Sequence, residues 1–175
     1  FQNILNADKI ALVSINGINE SVAEAVIAAK KDFPEYEDNV NQELLRLSNL
    51  GGEIISLWDD KYPDLLKKIY DPPILLYVLG EMTGQDYYSL AVVGTRIPTN
   101  YGKIMTEKLV TGICEKGMTV VSGLARGIDT VAHSTTLKFG GRTIAVLGCG
   151  VDVHYPPENR KFYEEIPRVG AVVSE

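Results

Sequence analysis

From residue 89 onward the apolar positions switch repeatedly between two periods. "LAVVG" (Leu90–Gly94), "MTVVSG" (Met118–Gly123), "TIAVLG" (Thr143–Gly148) and "GAVVSE" (Gly170–Glu175) are short runs, mostly apolar and bounded by glycine or polar residues. Runs of this kind predict strands buried on both faces of a parallel sheet. Between the first two, Tyr101, Ile104, Met105, Leu109, Ile113 and Cys114 recur at helical spacing and predict an amphipathic helix from Tyr101 to Lys116, stopped by Gly117. A second helix is predicted from Ile128 to Phe139, ahead of Gly140-Gly141. A third is predicted in "PPENRKFYEEI", where two prolines suit a helix start. This alternation with short turns predicts an α/β fold, a parallel sheet with helices on both faces. Ligands of such sheets sit at the carboxyl ends of the strands. Those ends are Gly94-Thr95-Arg96, Ser122-Gly123-Leu124, Gly148-Cys149-Gly150 and Ser174-Glu175.

The first fifty residues follow a different pattern. Ser21 with Glu24 has capping-box spacing, and Val22, Ala25, Val26 and Ala29 follow at helical intervals. A further helix is predicted from about Asn41 to Leu50, with Leu44, Leu47 and Leu50 on one face and Gly51-Gly52 as its stop. The pattern predicts a small helical domain over 1–52. Residues 53–88 read as a connector with short strands and a helix: "EIISLWD" is strand-like, "YPDLLKKI" places Pro63 near a helix start, and the prolines of "DPPILLYVLG" bar a helix before a β-like run. Residues 89–175 form the sheet domain.

Composition narrows the function classes. No apolar run approaches the roughly 20 residues of a membrane helix, so no membrane partner is expected. Two cysteines, Cys114 and Cys149, are too few for a disulfide framework or a zinc site. Reduced thiols and a cytoplasmic location are the expectation. The net charge of −6 argues weakly against general nucleic-acid affinity. Its distribution changes that picture. Residues 1–80 hold 7 Lys+Arg against 13 Asp+Glu, whereas residues 81–175 hold 10 of each, leaving room for a local basic face.

The strand-end loops carry the candidate chemistry. A dinucleotide site needs G-x-G-x-x-G after the first strand and an acid after the second. The chain has "GTRIPTNYG" at the first place and Ser122-Gly123 at the second, and it has no G-x-x-x-x-G-K-[ST]. No cofactor is therefore expected. Arg96 and Arg126 follow adjacent strands, and a guanidinium fork suits phosphate. The backbone amides after Gly123 and at Gly127 could add helix-terminus dipoles, and Thr95 and Ser122 supply hydroxyls. The same pattern is equally compatible with two solvated loop arginines. Asp129 and His133 stand four apart and could pair or cap the loop. His154 reads as a surface residue, and Tyr155 as a packing aromatic that could also stack on a base.

Taken together and in this order, "DDKYPDLLKKIYDPPILLYVLGEM", "VVGTR", "VVSGLARGID" followed by "AH", "GGRTIAVLGCGVDVHYPPEN" and "VVSE" resemble the DprA/Smf family of DNA-processing proteins. The resemblance covers about Gly52 to the end. It implies a Rossmann-like core, a preceding helical domain of the sterile-alpha-motif type, and a sheet that continues past Glu175. On that expectation the core is truncated at its C-terminal side and its last strand lies at an exposed edge. The resemblance further implies binding of single-stranded DNA during natural transformation, protection of incoming strands, loading of the RecA recombinase, a homodimer in the full-length protein, and no enzymatic reaction. Carried over by position, Arg96 with Thr95 contacts phosphate. Ser122, Gly123, Arg126 and Gly127 form a second wall, Gly148 to Gly150 line the floor, and Asp129 and His133 shape the loop. Two rivals stand beside it. A phosphoribohydrolase of the lysine-decarboxylase-like type would need P-G-G-x-G-T-x-x-E, which is not in this sequence. In a protein-interaction module, the glycine loops would be tight turns only.

Overall fold

The computed structural model describes residues 6–175, with the backbone alone over 31–35. It divides into two compact units, Phe1–Arg46 and Leu47–Glu175. The first unit begins with helix α1 (Lys9–Val13), capped by the Asp8 carboxylate, which accepts from the Ala11 amide at 2.7 Å. Helix α2 runs unbroken from Glu20 to Asn49, where the sequence suggested two shorter helices. Its cap is Asn19, whose Oδ1 accepts from the Val22 amide at 2.9 Å. The Ser21–Glu24 pair is therefore not the capping box; Glu24 lies within the helix and holds Lys9 at 2.6 Å. Gly51, at φ 70°, ends the helix because it takes the left-handed conformation without strain.

The second unit is one six-stranded sheet in the order β1-β2-β6-β5-β4-β3. The strands are β1 (Gly52–Ser56), β2 (Leu75–Gly80), β3 (Ser89–Ala91), β4 (Thr119–Ser122), β5 (Thr143–Val146) and β6 (Ala171–Ser174). The four from β3 to β6 are parallel, as the alternation predicted. Strand β2 pairs antiparallel with both β1 and β6, with Val78 opposite Val173. The segment read as a connector thus contributes two strands to the sheet. Strand β6 is not an edge: its outer side is taken by β2, and the two edges of this sheet are β1 and β3.

Three crossover helices join the parallel strands: α3 (Asn100–Glu115), α4 (Ile128–Lys138) and α5 (Arg160–Glu165). They pack on one face, over Val120, Ala145 and Val172, through Val110, Ala132, Phe162 and Ile166. The expectation of helices on both faces is corrected here for the described residues. Crossovers between parallel strands are right-handed as a rule, and each step here moves the same way across the sheet, so the helices fall on the same side. The opposite face, with Ile55, Val121, Ile144 and Val173, is covered by Tyr62, Leu66 and Met82. A concavity of about 850 Å³ remains there, largely apolar, reached by Ser174-Glu175 but by none of Arg96, Arg126 or Gly148.

The buried line of α3 also differs from the predicted stripe. Tyr101, Ile104 and Leu109 are exposed, and Thr106 and Val110 are buried. The fully buried line is Thr106 and Val110, and of the predicted stripe Ile113 and Cys114 pack half-buried against the same core. At the amino ends of the strands, Arg142 clamps Asp86, with Nε to Oδ1 at 2.6 Å and Nη2 to Oδ2 at 2.7 Å. Burial pushes the Asp86 carboxyl up, but bonds from Arg142, the Thr83 amide and Thr119 outweigh it and hold the group below the usual range.

Candidate nucleic-acid interface

The loops after β3 and β4 are joined backbone to backbone. The Ile128 amide donates to the Thr95 carbonyl at 3.2 Å. Gly127, at φ 84°, lies so close that a Cβ there would stand 2.2 Å from the Thr95 oxygen and 2.8 Å from the Arg96 Cα. A Cβ on Gly94 would stand 2.7 Å from Ile128 Cγ1. Glycine at 127 is thus required by both contact and conformation. The contact brings the turns bearing Arg96 and Arg126 to adjoining positions at the carboxyl edge.

Several predicted ligands are already committed within the fold. Ser122 is buried, and its hydroxyl donates to the Val92 carbonyl at 2.6 Å, so it faces strand β3 and not the solvent. The Gly123 and Ala125 amides both donate to Asp129 Oδ2, at 3.1 and 3.3 Å. Two amides that a phosphate cradle would use are filled by a carboxylate from the first turn of α4. This is what an anion does at a helix start, with the anion supplied from within. Asp129 therefore shapes the loop, but not through His133. His133 is fully buried, and its Nδ1 lies 2.8 Å from Thr143 Oγ1. Thr143 donates its own proton to the Val120 carbonyl at 2.8 Å, so Nδ1 carries a proton and donates it to Thr143. Nε2 makes no hydrogen bond among the described residues. Burial lowers the imidazole pKa from its ordinary 6.5 to about 4, against a partial offset from the Ser122 backbone.

The structure adds a residue that sequence reasoning missed. Asn159 is buried, and its Nδ2 reaches across from the start of α5 to the Leu124 carbonyl and Thr130 Oγ1, both at 2.9 Å. Thr130 in turn donates to the Ala125 carbonyl at 2.8 Å. Leu124 sits at φ 55° with its side chain buried, a conformation that costs a non-glycine residue energy and needs such anchoring. The only local signal was an asparagine two residues after Pro156-Pro157; its partners Thr130 and Leu124 lie twenty-nine and thirty-five residues away.

The groups left facing solvent are few. Arg96 is exposed, with no hydrogen bond or ion pair from its guanidinium among the described residues. Thr95 is exposed and accepts from the Ile97 amide at 3.2 Å, which leaves its own proton free to donate. Gly148 is exposed, with nothing within 4 Å of a Cβ position, so the space beside its backbone is open. At Gly150 the Asp152 carboxylate leans in, 2.7 Å from where a Cβ would be. Arg126 is exposed but paired. Its Nε donates to Glu158 Oε1, its Nη2 to Oε2 at 3.3 Å, and its guanidinium lies 5.9 Å from the centre of the Tyr155 ring. Glu158 raises the pKa of Arg126, and Arg126 lowers that of Glu158. Tyr155 is held through its carbonyl, which accepts from Tyr163 at 3.0 Å. His154 is exposed, with its ring edge-on to Tyr163 at 4.7 Å.

Comparison with known proteins agrees with this architecture. The chain is 37% identical to the Smf protein of a Synechocystis strain over 99% of its own length and 44% of that protein's. It spans about half the length of the curated and solved relatives it matches. It superposes on the X-ray structure of DNA processing protein A from Streptococcus pneumoniae with a TM-score of 0.73 and 34% identity, covering 91% of this chain and 52% of that one. It superposes also on DNA processing protein A from Helicobacter pylori, in a structure concerned with that protein's single-stranded DNA binding mode. There the TM-score is 0.61 and the identity 31%, covering 70% of this chain and 54% of that one. Residues 53–175, from β1 through the joined Arg96 and Arg126 turns to the end of β6, match the family model described as DNA recombination-mediator protein A, and the chain belongs to that DprA/Smf family.

Proposed function

We propose that the protein binds single-stranded DNA along the carboxyl edge of its sheet. In the full-length protein that binding serves DNA processing in natural transformation, protecting incoming strands and helping to load the RecA recombinase. The observation that carries the reading is the placement of Arg96. It is an exposed guanidinium without an internal partner among the described residues, on a turn held against the Arg126 loop by Gly127. A single strand suits such an edge because its flexible backbone can meet cations spaced by the strand ends. The H. pylori relative, whose structure concerns its single-stranded DNA binding mode, supports the same assignment. Phosphate is met here by Arg96 and Thr95 and by the open floor at Gly148. Ser122, Gly123, Gly127, Asp129 and His133 act by holding the wall. The protein acts as a cytoplasmic homodimer and does no chemistry on the strand.

The test is fluorescence anisotropy of the full-length protein with a labelled thymidine oligomer, the matching duplex and AMP, over a salt series. Single strands should bind preferentially. The slope of log K against log salt should be flatter by about 0.7 in Arg96→Ala for the one phosphate lost. Equal affinity for duplex, or an unchanged slope in Arg96→Ala, overturns the assignment. Release of base from AMP above blank would replace it with the phosphoribohydrolase reading.

A further inference from the structure

Arg126 and Glu158 form a two-point contact in which a carboxylate spans Nε and Nη2 of the guanidinium. A phosphate uses the same two donors in the same fork geometry. The Tyr155 ring lies beside the guanidinium, its centre 5.9 Å away, while the donor edge is directed at Glu158. The pair is open to solvent, with 49% of the Arg126 side chain and 53% of the Glu158 side chain accessible. Exposed pairs of this kind are weak and salt-screened. Behind them the loop is anchored independently, by Asp129 at its first amides and by Asn159 at Leu124. Glu158 can therefore leave without the loop losing its shape.

We propose that Glu158 is an internal stand-in for phosphate. It occupies the donor edge of Arg126 in the free protein, must be displaced for that arginine to engage a DNA strand, and so sets the affinity of the site. The inference rests on the single-strand reading above. Arg96 meets the first phosphate without competition. Arg126 adds a second only when a strand phosphate outcompetes the Glu158 carboxylate. Both anions compete for one cation, so removing the charge at 158 strengthens binding and steepens its salt dependence.

The experiment is anisotropy with the same thymidine oligomer, comparing wild type, Glu158→Gln, Arg126→Ala, the double variant, and Glu164→Gln as an exposed carboxylate control on α5. Glu158→Gln should bind at least about threefold more tightly at 50 mM salt, with its slope steeper by about 0.7. Its advantage should then shrink by about 2.6-fold at 200 mM, which is what one added phosphate contact predicts for a single strand. In the Arg126→Ala background the gain should vanish. An equal gain in that background, or in Glu164→Gln, reduces the effect to general charge and overturns the proposal. So does an unchanged Glu158→Gln when wild type binds and Arg96→Ala weakens it. If wild type does not bind the oligomer, the single-strand reading itself fails, which is a separate outcome. A thermal melt of Glu158→Gln matching wild type keeps folding out of the comparison.

Discussion

Replacing Gly127 with alanine tests whether the two arginine-bearing turns are held by a steric contact. The backbone there stands at φ 84° and ψ −123°, outside the regions an L side chain adopts readily. Forcing alanine into it costs about 1–3 kcal/mol. The added Cβ would fall 2.2 Å from the Thr95 carbonyl oxygen, about 1 Å inside an ordinary contact. The neighbour is backbone, so a turn must move, and overpacking of this kind adds about 1–3 kcal/mol. Together these reach about 2–6 kcal/mol, a large part of the roughly 5–15 kcal/mol that holds a domain folded. Gly148 provides the control: it has no positive φ, and nothing lies within 4 Å of its Cβ position. Alanine there should change stability by less than about 0.5 kcal/mol. Urea unfolding of the two variants reads the difference directly. A Gly127→Ala variant within about 1 kcal/mol of wild type would mean that the turns are not held by this contact, and the argument for adjoining arginines would lose its basis.

Two further outcomes follow from the buried polar groups. His133 accepts a proton in the unfolded chain below its ordinary 6.5 but in the folded chain only below about 4. Stability should therefore be full above pH 6.5 and fall as pH drops towards 4, by up to about 3 kcal/mol. An NMR titration, with His154→Gln used to assign the two histidine signals, checks this, and a His133 ring titrating near 6.5 would refute it. Asn159→Ala leaves the Leu124 carbonyl without its donor and should cost about 1–3 kcal/mol. Amide exchange across residues 123–127 should accelerate, and unchanged exchange would show that Asp129 alone holds the loop.

Much of the sheet was legible because its signals are local. The strands at 89–91, 119–122, 143–146 and 171–174 and the helices between them follow from apolar runs and glycine stops within a dozen residues. What misled was periodicity without context. Tyr101, Ile104 and Leu109 share a helical stripe, yet the positions buried are Thr106 and Val110, because the neighbours in the fold decide which line faces inward. The runs at 52–56 and 75–80 read as strands, but not as part of the main sheet, since nothing in "LLYVLG" names β6 as its partner.

The sequence by itself determined the α/β class, the placing of four loops at one sheet edge, and the presence there of two arginines and several glycines. Only the tertiary structure decided which of those groups remain available. Asp129 takes the amides of Gly123 and Ala125, Val92 takes the Ser122 hydroxyl, and Glu158 takes Arg126, while Arg96 has no such partner among the described residues. The physical reason is that a hydrogen-bonding group's freedom depends on its neighbours in space. For Arg126 that neighbour lies thirty-two residues along the chain, beyond the reach of any local pattern.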